Sequence, residues 1–363
     1  MSKRIFFAGG GTGGHIYPSL AVAEAMEKNS DIDISFFCSE RAVDSEILGS
    51  QPYSFYKLPA KQFGLNAPFA AGFLKSISKA VSILKKAKPC VVAGCGGFVS
   101  APVLAAAKLL AIPSVFINID IIPGRANRLF INMCREVYLQ FEDTLEYFDK
   151  GRVAPFVTGC PLRSEFAESA ELEKPAFLSP DKKLLLISGA SSGALSINKA
   201  MCLLAEQFDR YARSWQITVI AGRGKADQLR KVYEEREIEA HILEYTDQMP
   251  ALLANASLAA GRSGALSVAE YAFLGVPVVC IPYPYHKDQH QLLNARKLQD
   301  KGAALIAEDC REDYQSTADN LSKALFPLME DQNRLEEMKN RALNNCQSRQ
   351  NPAELIAERI ISL

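Results

Sequence analysis

The sequence predicts two doubly wound α/β domains, each built on a parallel sheet, and three observations predict them. Short apolar runs of strand length alternate with longer segments of helical period, the pattern of a parallel sheet covered on both faces. The alternation stops at a polar, proline-bearing stretch from Pro161 to Pro180 and then restarts. Both halves also repeat one plan of glycine turns. At 363 residues the chain is long enough for two cores, at about 100–200 residues per domain.

In the first half, Arg4–Ala8, Ile32–Cys38, Val91–Gly94 and Ser114–Asn118 read as buried strands. In the second, Lys183–Ile187, Gln216–Ala221, Ala240–Leu243, Ala256–Ala260 and Val276–Pro282 play that part. The first strand of each half runs into a glycine turn, Gly9-Gly10-Gly11-Thr12-Gly13-Gly14 and Ser188-Gly189-Ala190-Ser191-Ser192-Gly193. A later strand of each half does the same, into Cys95-Gly96-Gly97-Phe98 and Arg262-Ser263-Gly264-Ala265. Glycine lets backbone N–H groups approach a ligand, and the helix that follows attracts negative charge. Four such junctions in matched pairs predict two nucleotide-type folds facing each other across a cleft, with ligands at the carboxyl ends of both sheets.

The predicted domains are residues 1–162 and 163–346. Asn351-Pro352-Ala353-Glu354 begins a terminal helix, with Asn as cap and Pro at the first position, and residues 351–363 are expected to pack back on the first domain. A hinge is expected near Gly159–Ser164, with a second crossing near Asn345–Pro352. Between Phe69 and Lys88, Phe73, Ile77, Val81 and Leu84 stand near helical spacing among Lys75, Lys79, Lys85, Lys86 and Lys88. That helix either covers the sheet with solvated lysines or turns Phe69, Phe73 and Leu74 outward as an interfacial patch.

Composition excludes several classes. Lys+Arg and Asp+Glu are both 41, without the basic excess of a nucleic-acid binder. Nine scattered cysteines without a C-x-x-C pair read as small apolar residues in a reducing compartment. Only Ile5–Ala8 follows Lys3 and Arg4 before glycine begins, too short for a secretory signal. The longest apolar stretch, Ala101–Ile117, carries Lys108 and two prolines and makes no membrane span. A cytosolic protein, or one lying on a membrane surface, is expected.

Several chemistries compete for the turns. Gly9-x-Gly11-x-x-Gly14 followed by Glu40 satisfies the dinucleotide fingerprint and makes a dehydrogenase a candidate. Thr12 and His15 weigh against it, since phosphate cradling needs neither side chain. Gly189-Ala190-Ser191-Ser192-Gly193 matches the nucleophile elbow of hydrolases, with Asp247, His286, Asp288 and His290 downstream. A hydroxyl beside backbone amides serves equally as a phosphate hook. His286 and His290 have the spacing of metal ligands on a helix, but Lys287 stands where a zinc hydrolase carries its glutamate. Asp31-Ile32-Asp33 falls at the wrong end of its strand for the ligand site. No metal and no resident cofactor are expected.

Six blocks together carry a family resemblance: Gly10-Gly11-Thr12-Gly13-Gly14-His15 with Pro18, Gly94 to Ser100, Gly159-Cys160-Pro161-Leu162-Arg163, Gly189–Ala194, Arg262 to Glu270, and His286 to Gln291. In this order they resemble the MurG family, glycosyltransferase family 28, across nearly the whole chain. The resemblance implies the GT-B fold and an inverting transfer of N-acetylglucosamine from UDP-N-acetylglucosamine to the muramyl-pentapeptide of an undecaprenyl-linked lipid, a step of peptidoglycan synthesis. It places the sugar nucleotide mainly on the second domain and the lipid on the first, beside a membrane-associating patch on the cytoplasmic face of the cell membrane. By matching position, Arg163, Ser191, Thr246, Ala265, Leu266, Ser267, Val268, Ala269, Glu270 and Gln291 are implied to contact the UDP-sugar. Thr12, Gly13 and Gly14 are implied to face its diphosphate from the first domain. UDP-N-acetylglucosamine is then a co-substrate, and an anionic membrane surface is a partner.

The sequence departs from the family pattern at one strand end. Where the family carries His-Glu-Gln-Asn, this chain has Ile117-Asn118-Ile119-Asp120, in a frame fixed by Pro123-Gly124-Arg125-Ala126-Asn127-Arg128. A carboxylate has become an amide at Asn118, and an asparagine of the sugar site has become Asp120; His290 replaces a glutamine. His15 is the expected general base, because imidazole takes a proton near neutrality. Asp120 is the second catalytic candidate. A paralogue with another acceptor, and a UDP-sugar-binding protein without turnover, are the alternatives.

Overall fold

In the computed structural model, residues 3–27, 31–61, 67–148, 153–168, 172–190, 193–344 and 351–363 are described; of residues 67, 68, 125 and 126 only the backbone is. Contacts divide the chain into two units, Met1–Ser164 with Gln350–Leu363, and Glu165–Arg349. The boundary expected after residue 162 therefore shifts. Arg163 stays with the first unit because its guanidinium lies over the Tyr17 ring, 4.7 Å from the centroid. The Ser164 amide donates to Glu24 of that unit at 3.1 Å. The expected second crossing at residues 345–350 lies outside the described residues.

The first unit runs β1 (Lys3–Ala8), α1 (Tyr17–Glu27), β2 (Ile32–Ser39), α2 (Ala42–Gly49), β3 (Ser54–Leu58) and α3 (Ala67–Ala87). It continues through β4 (Val91–Gly94), α4 (Gly97–Leu109), β5 (Ser114–Asn118), α5 (Arg125–Ile131), β6 (Glu136–Leu139) and β7 (Ala154–Val157), to α6 (Ser164–Ala167) at the boundary. Its sheet has the order β3-β2-β1-β4-β5-β6-β7, all parallel. The second unit runs β8 (Lys183–Ser188), α7 (Leu195–Leu204), β9 (Trp215–Ile220), α8 (Asp227–Glu235), β10 (Ala240–Leu243), α9 (Met249–Ala254) and β11 (Ala256–Gly261). Then follow α10 (Ala265–Leu274), β12 (Val278–Cys280), α11 (His290–Gln299), β13 (Ala304–Ile306), α12 (Tyr314–Glu330) and α13 (Gln332–Asn344). Its six strands, also parallel, are ordered β10-β9-β8-β11-β12-β13.

Both sheets are the parallel, two-faced sheets that the sequence predicts. Four strands were not anticipated: β3, β6, β7 and β13. β3 is an edge strand that exposes most of its residues. β7, also at an edge, carries Pro155, which an edge tolerates because no second neighbour needs its N–H. β6 begins on Glu136, and β13 has only three residues. The expected strand Val276–Pro282 contracts to β12.

Strand order reverses between β1 and β4 in one sheet and between β8 and β11 in the other. At such a switch point the two following segments depart to opposite faces and leave a crevice at the carboxyl ends of the strands. The four glycine turns follow these four strands, so each unit presents one pair of neighbouring turns.

α14 (Pro352–Ser362) returns the chain to the first unit, against α1. Asn351 caps it by accepting the Ala353 amide at 3.1 Å and also accepts the Leu162 amide at 3.1 Å. Arg359 clamps Glu136 through two bonds of 3.0 and 3.1 Å and lies 3.6 Å from the centroid of Phe156.

Candidate functional site

In the first unit the turns after β1 and β4 are fitted to one another. Gly10 and Gly11 have φ of 155° and 93°, and Gly96 and Gly97 have 86° and 70°, a region that side chains disfavour. A Cβ on Gly97 would lie 2.2 Å from the Gly10 carbonyl, and one on Gly96 would lie 2.7 Å from the His15 ring. The glycines thus let two backbones meet and leave the imidazole resting on the second turn. Ser100, fully buried at the first turn of α4, fastens this turn with a hydroxyl that lies 2.7 and 2.6 Å from the carbonyl oxygens of Ala8 and Gly96.

His15 ends a 3₁₀ turn, Gly13–His15, that follows the glycines. Its Nδ1 is 3.1 Å from the hydroxyl of Thr12, and its Nε2 is 3.9 Å from a carboxylate oxygen of Asp120. Both His15 and Asp120 are about a third exposed, at 27% and 32%. Asn118, by contrast, is buried, and its amide donates to the Asp120 carbonyl at 2.6 Å. The amide thereby braces the backbone that presents Asp120. The structure brings His15, Thr12 and Asp120 together, with Gly13 and Gly14 in the same turn, and turns Asn118 to a supporting task.

Asp44, which the sequence did not single out, lies beneath this turn. Its carboxylate is buried and accepts the Gly11 amide at 2.9 Å. A pyrophosphate cradled by the turn would need such amides, and a carboxylate behind them repels an anion. With Asp44 on the Gly11 amide, that amide is already engaged, unlike the phosphate-binding amides of a dinucleotide fingerprint. Glu40, its expected ribose acid, is exposed at the end of β2. Nothing in the spacing of Ala42–Gly49 marks Asp44 as the buried acid among its neighbours; the burial is tertiary.

In the second unit, Gly189 and Gly193 let the first turn close: a Cβ on Gly193 would sit 2.2 Å from the Ala221 carbonyl. Ala190 adopts a φ of 61° in the same turn. Ser191, the expected phosphate hook, lies outside the described residues. The paired turn after β11 is held by Arg262, whose guanidinium is buried. It meets Asp309 at 2.8 Å, donates to Ser196 Oγ at 3.0 Å, and donates to the Ile281 and Pro282 carbonyls at 3.0 and 3.2 Å. Ser196 in turn donates to Asp309 at 2.6 Å. An arginine directly after an apolar strand is a signal of a buried pair, but Asp309 carries no mark in the sequence.

Residues 265–270 form the first turns of α10, capped by Gly264. Ala265 and Val268 are buried, while Leu266, Ser267, Ala269 and Glu270 are partly exposed. The amino-terminal end of α10 carries the positive end of the helix dipole, which suits an anion or a polar ligand edge. Gln291 stands in the first turn of α11, where its Oε1 accepts the Tyr283 amide at 3.0 Å and its backbone carbonyl accepts the Ser263 hydroxyl at 2.8 Å. Residues 265–270 and Gln291 thus meet through Ser263. Thr246 belongs to the loop after β10, and its hydroxyl accepts the Gln248 amide at 3.0 Å.

α11 begins only at His290, so His286 is not on a helix with it. The two imidazoles stack at 4.2 Å between centroids, and His290 Nδ1 is 2.8 Å from Asp288. Burial raises the Asp288 pKa, but the His290 hydrogen bond and charge and the His286 charge outweigh it, for a net lowering. Asp33 of the Asp31-Ile32-Asp33 sequence pairs with Arg4 at 3.0 Å, at the amino end of the sheet and opposite to the glycine turns. Among the described residues, no group of three or more His, Cys, Asp or Glu is arranged to hold a metal ion.

The chain matches the model of the glycosyltransferase family 28 N-terminal domain over residues 5–139 and that of the family's C-terminal domain over residues 184–360. It is 36% identical over 312 residues to a protein of Leuconostoc mesenteroides, covering 84% of this chain and 85% of that one. That relative is named UDP-N-acetylglucosamine–N-acetylmuramyl-(pentapeptide) pyrophosphoryl-undecaprenol N-acetylglucosamine transferase. A protein of Chlorobaculum tepidum with the same name is 34% identical, covering 99% of both chains. Among solved structures, MurG of Acinetobacter baumannii superposes with a TM-score of 0.72 at 25% identity, covering 99% of this chain and all of that one. The UDP-GlcNAc 2-epimerase of Neisseria meningitidis, bound to UDP-GlcNAc, shares the fold at a TM-score of 0.70 and 17% identity, over 99% of this chain and 100% of its own.

Proposed function

The chain belongs to glycosyltransferase family 28, and on that premise we propose that it transfers N-acetylglucosamine from UDP-N-acetylglucosamine to the 4-hydroxyl of a muramyl-pentapeptide carried on undecaprenyl pyrophosphate. The first unit takes the lipid-linked acceptor and the second takes the sugar nucleotide. Of all the observations, the one that carries the chemistry is an imidazole on the turn after β1 and a carboxylate after β5, 3.9 Å apart in the first unit.

Transfer is a single displacement that inverts the anomeric carbon. The acceptor hydroxyl attacks that carbon as its proton passes to His15 Nε2, and the glycosidic oxygen of UDP departs with the bonding pair. Donation from Nδ1–H to Thr12 Oγ1 leaves Nε2 free of hydrogen to receive the proton. The Asp120 carboxylate, on the Nε2 side of the ring, then offsets the positive charge of the imidazolium that forms. At the second unit, Glu270 suits the ribose hydroxyls and Gln291 the sugar hydroxyls. The leaving diphosphate is stabilised by the opening turn of α10 and by a guanidinium, for which Arg163 is the candidate. Charge on the leaving group is met by the protein itself, so the scheme needs no metal.

An acceptor with a polyprenyl tail keeps the reaction at a membrane. No helix among the described residues is long and apolar enough to cross one. Docking on the anionic cytoplasmic face through α3 fits both facts, with the chain held peripherally.

The test is incubation of the purified chain with UDP-N-acetylglucosamine and the muramyl-pentapeptide lipid, followed by mass spectrometry. The expected product is the lipid-linked disaccharide together with UDP. The amide at Asn118 favours one other reading, a paralogue with a different acceptor. UDP-sugar hydrolysis or transfer elsewhere, with the muramyl lipid unchanged, would establish it. Tight UDP binding without turnover on any acceptor would leave a binding protein.

A further inference from the structure

We propose that Asp44 is a positioning residue for the transfer, the buried template on which the loop bearing Thr12 and His15 is wound. The inference rests on His15 being the base. Asp44 sits in the first turn of α2 with none of its surface exposed. Both carboxylate oxygens accept the Gly11 amide, each at 2.9 Å. Oδ2 also accepts the Ser39 amide at 2.9 Å and the Ser39 hydroxyl at 2.6 Å. Arg41 completes the grip from the other side, donating to the Gly11 carbonyl at 2.8 Å while its guanidinium lies 5.1 Å from the Phe98 centroid. Gly11 is therefore held by an anion at its N–H and a cation at its C=O.

Three details make this a fitted device. The fit leaves no slack, since a Cβ on Gly10 would come within 2.4 Å of Asp44 Oδ2. Every partner of the carboxylate is a donor, so only an acceptor with no hydrogen satisfies them all. The loop so fixed continues into Thr12, whose hydroxyl meets His15 Nδ1, and His15 rests on Gly96. A shift of Gly11 is passed to the imidazole through the two residues of this loop that carry its hydrogen-bond partner and its own backbone. Asp44 touches no reacting atom; it acts through His15.

Asp44→Asn tests this at constant volume, because the amide NH₂ must face at least one donor that the carboxylate accepted. Transfer kinetics, UDP binding by calorimetry and thermal unfolding are measured for Asp44→Asn, His15→Ala and the double variant. A misplacement of about 1 Å costs up to about a hundredfold in rate. The expected result for Asp44→Asn is a 10- to 100-fold fall in kcat, with UDP affinity within twofold of the parent. In the His15→Ala background the same change is expected to lower kcat by less than threefold.

A kcat within threefold of the parent in Asp44→Asn would overturn the proposal. So would an equal fall in both backgrounds, which would mean that Asp44 acts on the fold and not through His15. Full activity of His15→Ala alone would instead sink the base assignment, a separate failure. Should Asp44→Asn not fold, Arg41→Gln, on an exposed residue, releases the other side of Gly11 and enters the same cycle. A three- to tenfold fall that vanishes in the His15→Ala background is then expected, and a fall that persists there overturns the proposal.

Discussion

The guanidinium of Arg262 and the carboxylate of Asp309 meet at 2.8 Å with only 7% and 1% of their side chains exposed. Between them they bind the ends of β11 and β12, the start of α7 and the loop after β13, since Ser196, Ile281 and Pro282 complete the network. The amide of Arg262 also donates to the Ser188 carbonyl at 3.2 Å, which joins the two glycine turns of the second unit. The pair therefore ties the turn after β11 to the end of β12 and the start of α7.

Removing one partner of a buried pair strands the other charge, at a cost of about 3–5 kcal/mol. Asp309→Ala is expected to destabilise the second unit by that amount in denaturant unfolding, and to weaken UDP binding. Replacing both, as Arg262→Met with Asp309→Leu, is expected to recover most of the stability but not the binding. Equal stability of Asp309→Ala and the parent would show that the pair holds nothing.

For the proposed base, proton transfer by a positioned side chain contributes about 10²–10⁴-fold. His15→Ala is expected to lower kcat within that range with the KM for UDP-N-acetylglucosamine little changed. Asp120→Asn, which keeps the shape and removes the charge that faces the imidazolium, is expected to cost less, up to about fivefold, the worth of a part-exposed ion pair of about 1 kcal/mol. Loss in Asp120→Asn equal to that in His15→Ala would make Asp120 itself the base, with His15 orienting it.

Burial pushes the thiols of Cys38, Cys95, Cys134 and Cys280 from 9.0 up to about 12. The folded chain therefore binds these protons more tightly than the unfolded one. Their contribution is fully present below pH 9 and is lost as the pH rises toward 12. Unfolding free energy is expected to fall across that window, and Cys95→Ala with Cys280→Ala to flatten the slope. A pH-independent stability between 9 and 11 would contradict the burial of these groups.

What was legible in the sequence follows from which interactions are local. Buried central strands announce themselves as apolar runs, and a turn that needs positive φ announces itself as glycine. Hence β1, β4, β8 and β11 could be read with their turns, and with them Thr12, His15 and the start of α10. The edge strand β3 carries mixed residues, because one side has no neighbour, and the edge strand β7 is interrupted by Pro155. The carboxylates of Asp44 and Asp309 were illegible for another reason. Each is buried by residues distant in sequence, and an acid in an ordinary helix or loop reads as solvated until those partners are known. The placement of Asp120 against His15 is intermediate: its departure from the family pattern was visible, its distance was not.

Moving each CH₂ of a polyprenyl tail into water costs about 0.8 kcal/mol, so the proposed reaction requires the protein to come to the lipid. Phe69 stacks on Phe73, at 5.8 Å, and Phe73 meets Phe130 of α5 at 5.9 Å, so both phenylalanines of α3 are partly spent on packing. Their neighbours point outward instead. Leu74 and Leu129 are 65% and 66% exposed, and Met133 is exposed after α5. Lys75 and Lys79 are exposed on the same helix as Leu74. A basic residue near an anionic surface contributes about 1 kcal/mol, so losing two corresponds to a weakening of about thirtyfold. Lys75→Glu with Lys79→Glu is expected to reduce binding to vesicles containing anionic lipid by at least that factor, with UDP affinity unchanged. Raising the salt is expected to have the same effect on the parent, through screening. Unchanged vesicle binding by the double variant would move the docking surface elsewhere and leave α3 as cover for the sheet.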